Sequence, residues 1–169
     1  MKTAVVTDTN SGITAELGKE LGVYVVPMPV MIDGKTYYEG VNLTQEAFFQ
    51  SLMSGGDITT SQPSPGDVME LWDSVLTEGY DELVYIPMSS GLSNSCASAI
   101  ILAGDYEGRV QVADNHRISV TQYASILDAL KLAKEGKNAF EIKKALEAAA
   151  YDASIYIAVD TLEFLKKGG

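Results

Sequence analysis

Short runs of apolar residues alternate along the chain with longer stretches in which apolar residues recur every three or four positions. The short runs lie at 3–7, 24–31, 82–88, 109–113 and 154–159 and are read as strands. Leu83 to Met88 is almost wholly apolar, as expected of a strand covered on both faces. The clearest helical pattern covers 65–78, where Val68, Leu71, Trp72, Val75 and Leu76 share one face. Its start is signalled by Ser64 as N-cap, Pro65 in the first turn and Asp67 completing a capping box. A second long helix places Tyr123, Ile126, Leu127, Leu130 and Ala133 on its inward face. A third, opened by Asn138 and Glu141, turns Ile142, Ala145, Leu146 and Ala149 inward. Trp72 and the long apolar stripes are core positions and need no function to explain them. Asp33-Gly34, between Val30-Met31-Ile32 and Thr36-Tyr37-Tyr38, is a hairpin signal, so a small antiparallel excursion is expected near 30–40. Strands alternating with helices predict one α/β domain over residues 1–169, with a mainly parallel sheet flanked by helices.

Composition narrows the choice of partners. A chain of 169 residues with 46% apolar content supports one well-buried core. A net charge of −11 repels nucleic-acid phosphates and anionic membrane surfaces, so neither nucleic acid nor stable membrane insertion is expected. The single cysteine, Cys96, cannot form an internal disulfide and fits a reducing, cytoplasmic setting. The opening Met1-Lys-Thr-Ala-Val-Val-Thr-Asp reads as a strand rather than a leader, and no apolar run approaches membrane-spanning length.

Polar clusters follow the expected strands. Asp8-Thr9-Asn10-Ser11-Gly12 follows the first, Ser89 to Ser95 the third, Asp114-Asn115-His116 the fourth and Asp160-Thr161 the fifth. In open α/β sheets such carboxyl-end clusters converge on one edge, where ligands bind. The Ser89–Ser95 segment is the richest. An apolar strand runs into a turn bearing Ser89, Ser90, Ser93 and Ser95, and Cys96, Ala97, Ile100 and Ile101 then recur at helical spacing. The first N–H groups of such a helix lack carbonyl partners, and with the helix dipole they favour a phosphate or carboxylate. Gly91 would let the backbone approach a ligand closely. A serine at a helix start also caps its own helix, an effect of about 1 kcal/mol, which is the plain structural role for Ser93. The loop Thr59-Thr60-Ser61-Gln62-Pro63-Ser64 places hydroxyls and an amide just before the capped helix and is a second candidate.

Two of these segments together resemble the DegV family. Thr60-Ser61-Gln62-Pro63-Ser64 is similar to its T-S-Q-P-S motif, and Ser89-Ser90-Gly91-Leu92-Ser93-Asn94-Ser95 to its S-S-G-L-S-G-T motif. The opening Val5-Val6-Thr7-Asp8-Thr9-Asn10-Ser11 resembles a V-T-D-S-x-x start, and Val159-Asp160-Thr161-Leu162-Glu163-Phe164-Leu165-Lys166-Lys167-Gly168-Gly169 resembles V-D-T-L-E-Y-L-x-K-G-G-R. The resemblance implies a bacterial fatty-acid-binding protein that serves as carrier subunit of a fatty acid kinase. Such a carrier presents the acyl carboxylate to a kinase subunit and performs no chemistry of its own, and the bound fatty acid is its ligand, with no cofactor. Transferred residue by residue, Thr60 or Ser61 and Ser93 would hydrogen-bond the carboxylate, with the backbone N–H groups of Ser93 and Asn94 completing the cradle. Ser90, Gly91, Gln62 and Asp8 are secondary candidates. Asn94 and Ser95 stand where the family has Gly-Thr, and Asp114-Asn115-His116-Arg117 replaces a D-S-x-x pattern. The resemblance covers the first domain of a two-domain protein. The second domain is absent from this chain, and self-association would cover the face it leaves.

Two other functions are compatible with parts of the pattern. Gly91-Leu-Ser-Asn-Ser95 partly matches a nucleophile elbow, with Ser93 followed by Asp114 and His116 in the order of an α/β-hydrolase triad, although Ser95 stands where glycine is required. A phosphate- or nucleotide-binding domain would use the same helix start, but G-x-G-x-x-G and G-x-x-x-x-G-K-[ST] are lacking, and no lysine or arginine is near the serine cluster in sequence. Asp8 alone is a weak ligand set, so no metal is expected.

Overall fold

The structure is a computed structural model that describes residues 1–156 together with Ala158 and Val159. Four strands, β1 (Thr3–Asp8), β2 (Val23–Val26), β6 (Glu82–Ile86) and β7 (Val110–Val112), form a parallel sheet in the order β2-β1-β6-β7. Three more, β3 (Pro29–Ile32), β4 (Lys35–Tyr38) and β5 (Ile58–Thr60), form an antiparallel sheet in the order β4-β3-β5. Six helices accompany them among the described residues: α1 (Ala15–Leu21), α2 (Gln45–Met53), α3 (Pro65–Thr77), α4 (Ser95–Ala103), α5 (Ser119–Lys134) and α6 (Ala139–Ala148).

Side-chain alternation along the strands builds two cores. Ala4, Val6, Leu83 and Tyr85 face Trp72 and Val75 of α3 and Cys96 and Ala99 of α4. Val5, Val84 and Ile86 face Ile126 and Ala129 of α5 and Ile142 and Leu146 of α6. The central strands are thus buried on both faces, which explains the unbroken apolar run at 83–88. The small sheet packs Val30, Ile32 and Ile58 against Leu43 and Phe48.

Local signals hold where they concern one turn of chain. Ser64 Oγ accepts from Asp67 N at 3.1 Å at the start of α3. Asn138 and Glu141 form a reciprocal capping box on α6, with Glu141 N donating to Asn138 Oδ1 at 2.8 Å and Asn138 N to Glu141 Oε2 at 3.0 Å. The β3–β4 turn takes positive φ at both Asp33 (50°) and Gly34 (79°), as a tight hairpin requires.

Several expectations are corrected. The run 24–31 is two strands in two sheets, because Pro27 has no N–H for a ladder and Pro29 opens the new strand. Thr60, expected in a loop, closes β5. No strand forms at 154–159 among the described residues there: Ser154, Ile155, Tyr156, Ala158 and Val159 are exposed and unpaired in any ladder, and Tyr156 is 94% exposed. Apolar composition alone does not make a strand without ladder partners. Leu127 and Ala145 face outward, as do Ile100 and Ile101 on α4. On α5, Ile126 is buried and Tyr123, Leu130 and Ala133 pack against the core as expected, while its most buried positions also include Gln122, Ser125 and Ala129. Asp160-Thr161 and the stretch to Gly169 lie outside the described residues.

Candidate functional site

The serine turn leaves the carboxyl end of β6 and enters α4 at Ser95. Its internal geometry is made by hydrogen bonds to Ser89 and Ser93, two from backbone N–H groups to the Ser89 carbonyl and two to serine hydroxyls. Gly91 N donates to Ser89 Oγ at 3.2 Å, and Leu92 N and Ser93 N donate to the Ser89 carbonyl at 3.0 and 3.3 Å. Ser93 Oγ accepts from Ser95 N at 3.1 Å. Ser93 precedes the N-cap position, which Asn94 occupies without a side-chain bond, and accepting from Ser95 N leaves the Ser93 hydroxyl proton available to a ligand acceptor. The Ser93 N–H expected in the cradle is already directed at Ser89, whereas the Asn94 N–H donates to no described residue. Gly91 does not adopt positive φ, and an added Cβ would meet only Ser89 Oγ at 3.4 Å, so the fold itself does not demand glycine there.

The Thr60–Ser64 segment comes to the same end of the sheet. Ser98 Oγ of α4 donates to Gln62 Oε1 at 3.2 Å, and Pro63 packs beside Ser95 and Ala99. Gln62 thus joins the two segments. Thr60 and Ser61 are exposed, Ser61 N reaches only the Pro29 carbonyl at 3.4 Å, and no hydrogen bond joins either residue to Ser93 or Asn94 among the described residues. Thr60 stands at the edge of a cleft of about 700 Å³. Val30, Val41, Leu43, Phe48 and Phe49 supply its apolar wall, with Glu39 and Thr44 among the polar lining. That volume is in the range of small-molecule sites, about 300–1,000 Å³.

Asp8 is not free to bind a ligand. Its Oδ2 accepts from Met88 N at 2.8 Å, and its Oδ1 accepts from Asn10 N at 3.0 Å and Gln122 Nε2 at 3.1 Å. Burial pushes its carboxyl above the ordinary carboxylate range, against the pull of these hydrogen bonds. Ser90 is exposed, with its N–H on Asp114 Oδ1 at 3.3 Å.

Tertiary structure brings an arginine to the serine cluster that sequence distance hides. Ser89 N donates to the Arg117 carbonyl at 2.9 Å, while the buried guanidinium donates to Ser125 Oγ at 3.0 Å and to the Ala149 carbonyl at 2.5 Å. Asp114 and His116 do pair, Oδ1 to Nδ1 at 3.5 Å, and the imidazole stacks on Tyr151. No hydrogen bond links His116 to Ser93 among the described residues, so the serine–histidine contact of a hydrolase triad is not formed. Gln122 and Ser125 carry no motif, and the only sequence signal for them is a polar pair three residues apart on the helix face that also carries Ile126 and Ala129. Among the described residues no group of three or more His, Cys, Asp or Glu is placed to hold a metal, and no helix is long and apolar enough to cross a membrane.

The family model described as "Uncharacterised protein, DegV family" matches residues 2–169. A DegV domain-containing protein of Deinococcus radiodurans is 34% identical over 170 residues, covering 100% of this chain and 60% of the relative. One from Caldanaerobacter subterraneus is 32% identical, covering 99% and 60%. This chain spans about 60% of the length of the curated relatives it matches. Among solved structures, the fatty-acid-binding DegV family protein of Thermus thermophilus superposes with a TM-score of 0.88 at 34% identity, over 99% of this chain and 60% of its own. DegV of Bacillus subtilis, a fatty acid binding protein, superposes at 0.79 with 28% identity, over 89% and 54%. With four-strand parallel and three-strand antiparallel sheets, a hydroxyl-lined helix start and a family match over nearly its whole length, the chain belongs to the DegV family.

Proposed function

We propose that this chain binds a long-chain fatty acid and presents its carboxylate to a partner kinase in the cytoplasm, performing no chemistry itself. The observation that carries the reading is the hydroxyl of Ser93, whose acceptor side is taken by Ser95 N–H and whose proton is left to donate. The Asn94 N–H and the start of α4 add donors and the positive end of a helix dipole. Thr60 and Ser61 approach the carboxylate from the Gln62 side, and the acyl chain runs into the cleft lined by Val30, Leu43, Phe48 and Phe49. Each buried methylene contributes roughly 0.8 kcal/mol, so the cleft supplies most of the affinity and the donors fix orientation. Fatty-acid binding by the Thermus thermophilus and Bacillus subtilis relatives supports the ligand class.

Native mass spectrometry of the purified chain, followed by extraction and identification of bound lipid, tests the proposal. A stoichiometric long-chain fatty acid is the expected result. An empty protein that also fails to take up added oleate would overturn it.

A further inference from the structure

The β1–β6 ladder ends at the Thr7–Ile86 pair, so the chain beyond Ile86 is no longer held by strand neighbours. Three hydrogen bonds from outside the turn then fix where it lies. Met88 N donates to Asp8 Oδ2 at 2.8 Å, Ser89 N to the Arg117 carbonyl at 2.9 Å, and Ser90 N to Asp114 Oδ1 at 3.3 Å. The two shorter ones are each backed by a buried polar side chain of α5. Gln122, 0% exposed, places Nε2 at 3.1 Å from Asp8 Oδ1, Thr7 Oγ1 and the Ile86 carbonyl. Ser125, also 0% exposed, accepts from Arg117 Nη1 at 3.0 Å and Asn115 Nδ2 at 2.8 Å. Gln122 and Ser125 are three residues apart and so face the sheet together.

We infer that Gln122 and Ser125 are positioning residues that set the serine turn through Asp8 and Arg117, and thereby determine carboxylate affinity. A helix held only by packing needs no polar groups at its most buried positions, and burying an amide and a hydroxyl is costly unless each is hydrogen-bonded. Here the Gln122 amide N–H group reaches the Asp8 carboxyl that holds Met88, and the Ser125 hydroxyl receives the side chain of Arg117, whose backbone carbonyl holds Ser89. This role rests on the carboxylate reading of the serine turn given above.

The test compares wild type, Gln122→Met and Ser125→Ala with Glu82→Gln as control. Glu82 is buried at the opposite end of β6, where it accepts from Thr3 Oγ1 at 2.7 Å and Ala139 N at 2.9 Å. Backbone amide signals of Met88 to Ser93 and the Kd for oleate are measured well below each Tm. Both α5 variants are expected to shift the turn amides and to raise Kd roughly tenfold. Glu82→Gln is expected to lower Tm with Kd unchanged. If the α5 variants lower Tm but leave Kd and the turn amides where they are, their role is structural and the inference is overturned. Should one α5 variant fail to fold, the other decides. If wild type takes no oleate the carboxylate reading fails separately, and the amide signals alone then decide the positioning role.

Discussion

Gln122 Nε2 lies 3.1 Å from Asp8 Oδ1, joining residues 114 positions apart in the chain. The carboxylate it holds was a candidate ligand group from sequence and is instead an internal strut, with donors on both oxygens. Its burial has a consequence for pH. The folded Asp8 carboxyl titrates above its unfolded counterpart, whose value is about 3.9. Its contribution to stability is therefore fully present below the unfolded pKa and is lost as pH rises through the folded one. The stability of wild type relative to Asp8→Asn should fall as pH rises from roughly 4 toward neutrality. Paired thermal melts across that range check this, and a pH-independent difference would refute it.

Replacing Ser93 by Ala should act twice. Loss of the bond from Ser95 N leaves the first N–H of α4 without that acceptor and should destabilise by about 1 kcal/mol. Loss of the donated hydroxyl proton should weaken fatty-acid binding by a further ~1.5–3 kcal/mol, as expected for a hydrogen bond to a charged group. Calorimetric titration with oleate separates the two, and unchanged affinity would remove Ser93 from the site.

Phe49 lines the cleft yet is 48% exposed. Phe49→Ser should therefore change stability by no more than about 0.5 kcal/mol while weakening long-chain fatty acids more than short ones. Titrating a series of chain lengths reads this directly. Equal loss across the series would place the acyl chain elsewhere.

Gly18 marks the close packing of α1 on β2. A Cβ there would sit 2.8 Å from the Val23 carbonyl oxygen and 3.0 Å from Val25 Cγ2, and a backbone atom cannot swing aside. Gly18→Ala should cost about 1–3 kcal/mol despite its better helix propensity. Denaturant unfolding tests it; a stabilised variant would mean that α1 shifts freely on the sheet.

The hydrolase alternative is also open to a direct check. A fluorophosphonate probe should leave Ser93 unlabelled, since no hydrogen bond links His116 to it among the described residues. Labelling abolished by His116→Ala would revive that reading.

Much of this molecule was written locally. The alternation of strands and helices, the caps at Ser64 and Asn138, the Asp33-Gly34 turn and the two hydroxyl-rich segments were all legible, because each depends on residues within one or two turns of chain. The donor-rich start of α4 was legible for the same reason: unpaired N–H groups at a helix start follow from the helix itself. What sequence alone could not decide was anything that depends on a distant partner. Ser154 to Tyr156 have strand-like composition but pair with no strand among the described residues, and Pro27 divides one apolar run between two sheets. Asp8 became a strut rather than a ligand group because Met88 and Gln122 meet it across the fold. Gln122 and Ser125 look like breaks in an apolar stripe until the sheet edge supplies their partners. Periodicity reports which face of an element is apolar. Only tertiary packing decides which buried polar groups find each other, since their hydrogen bonds span residues that the chain keeps far apart.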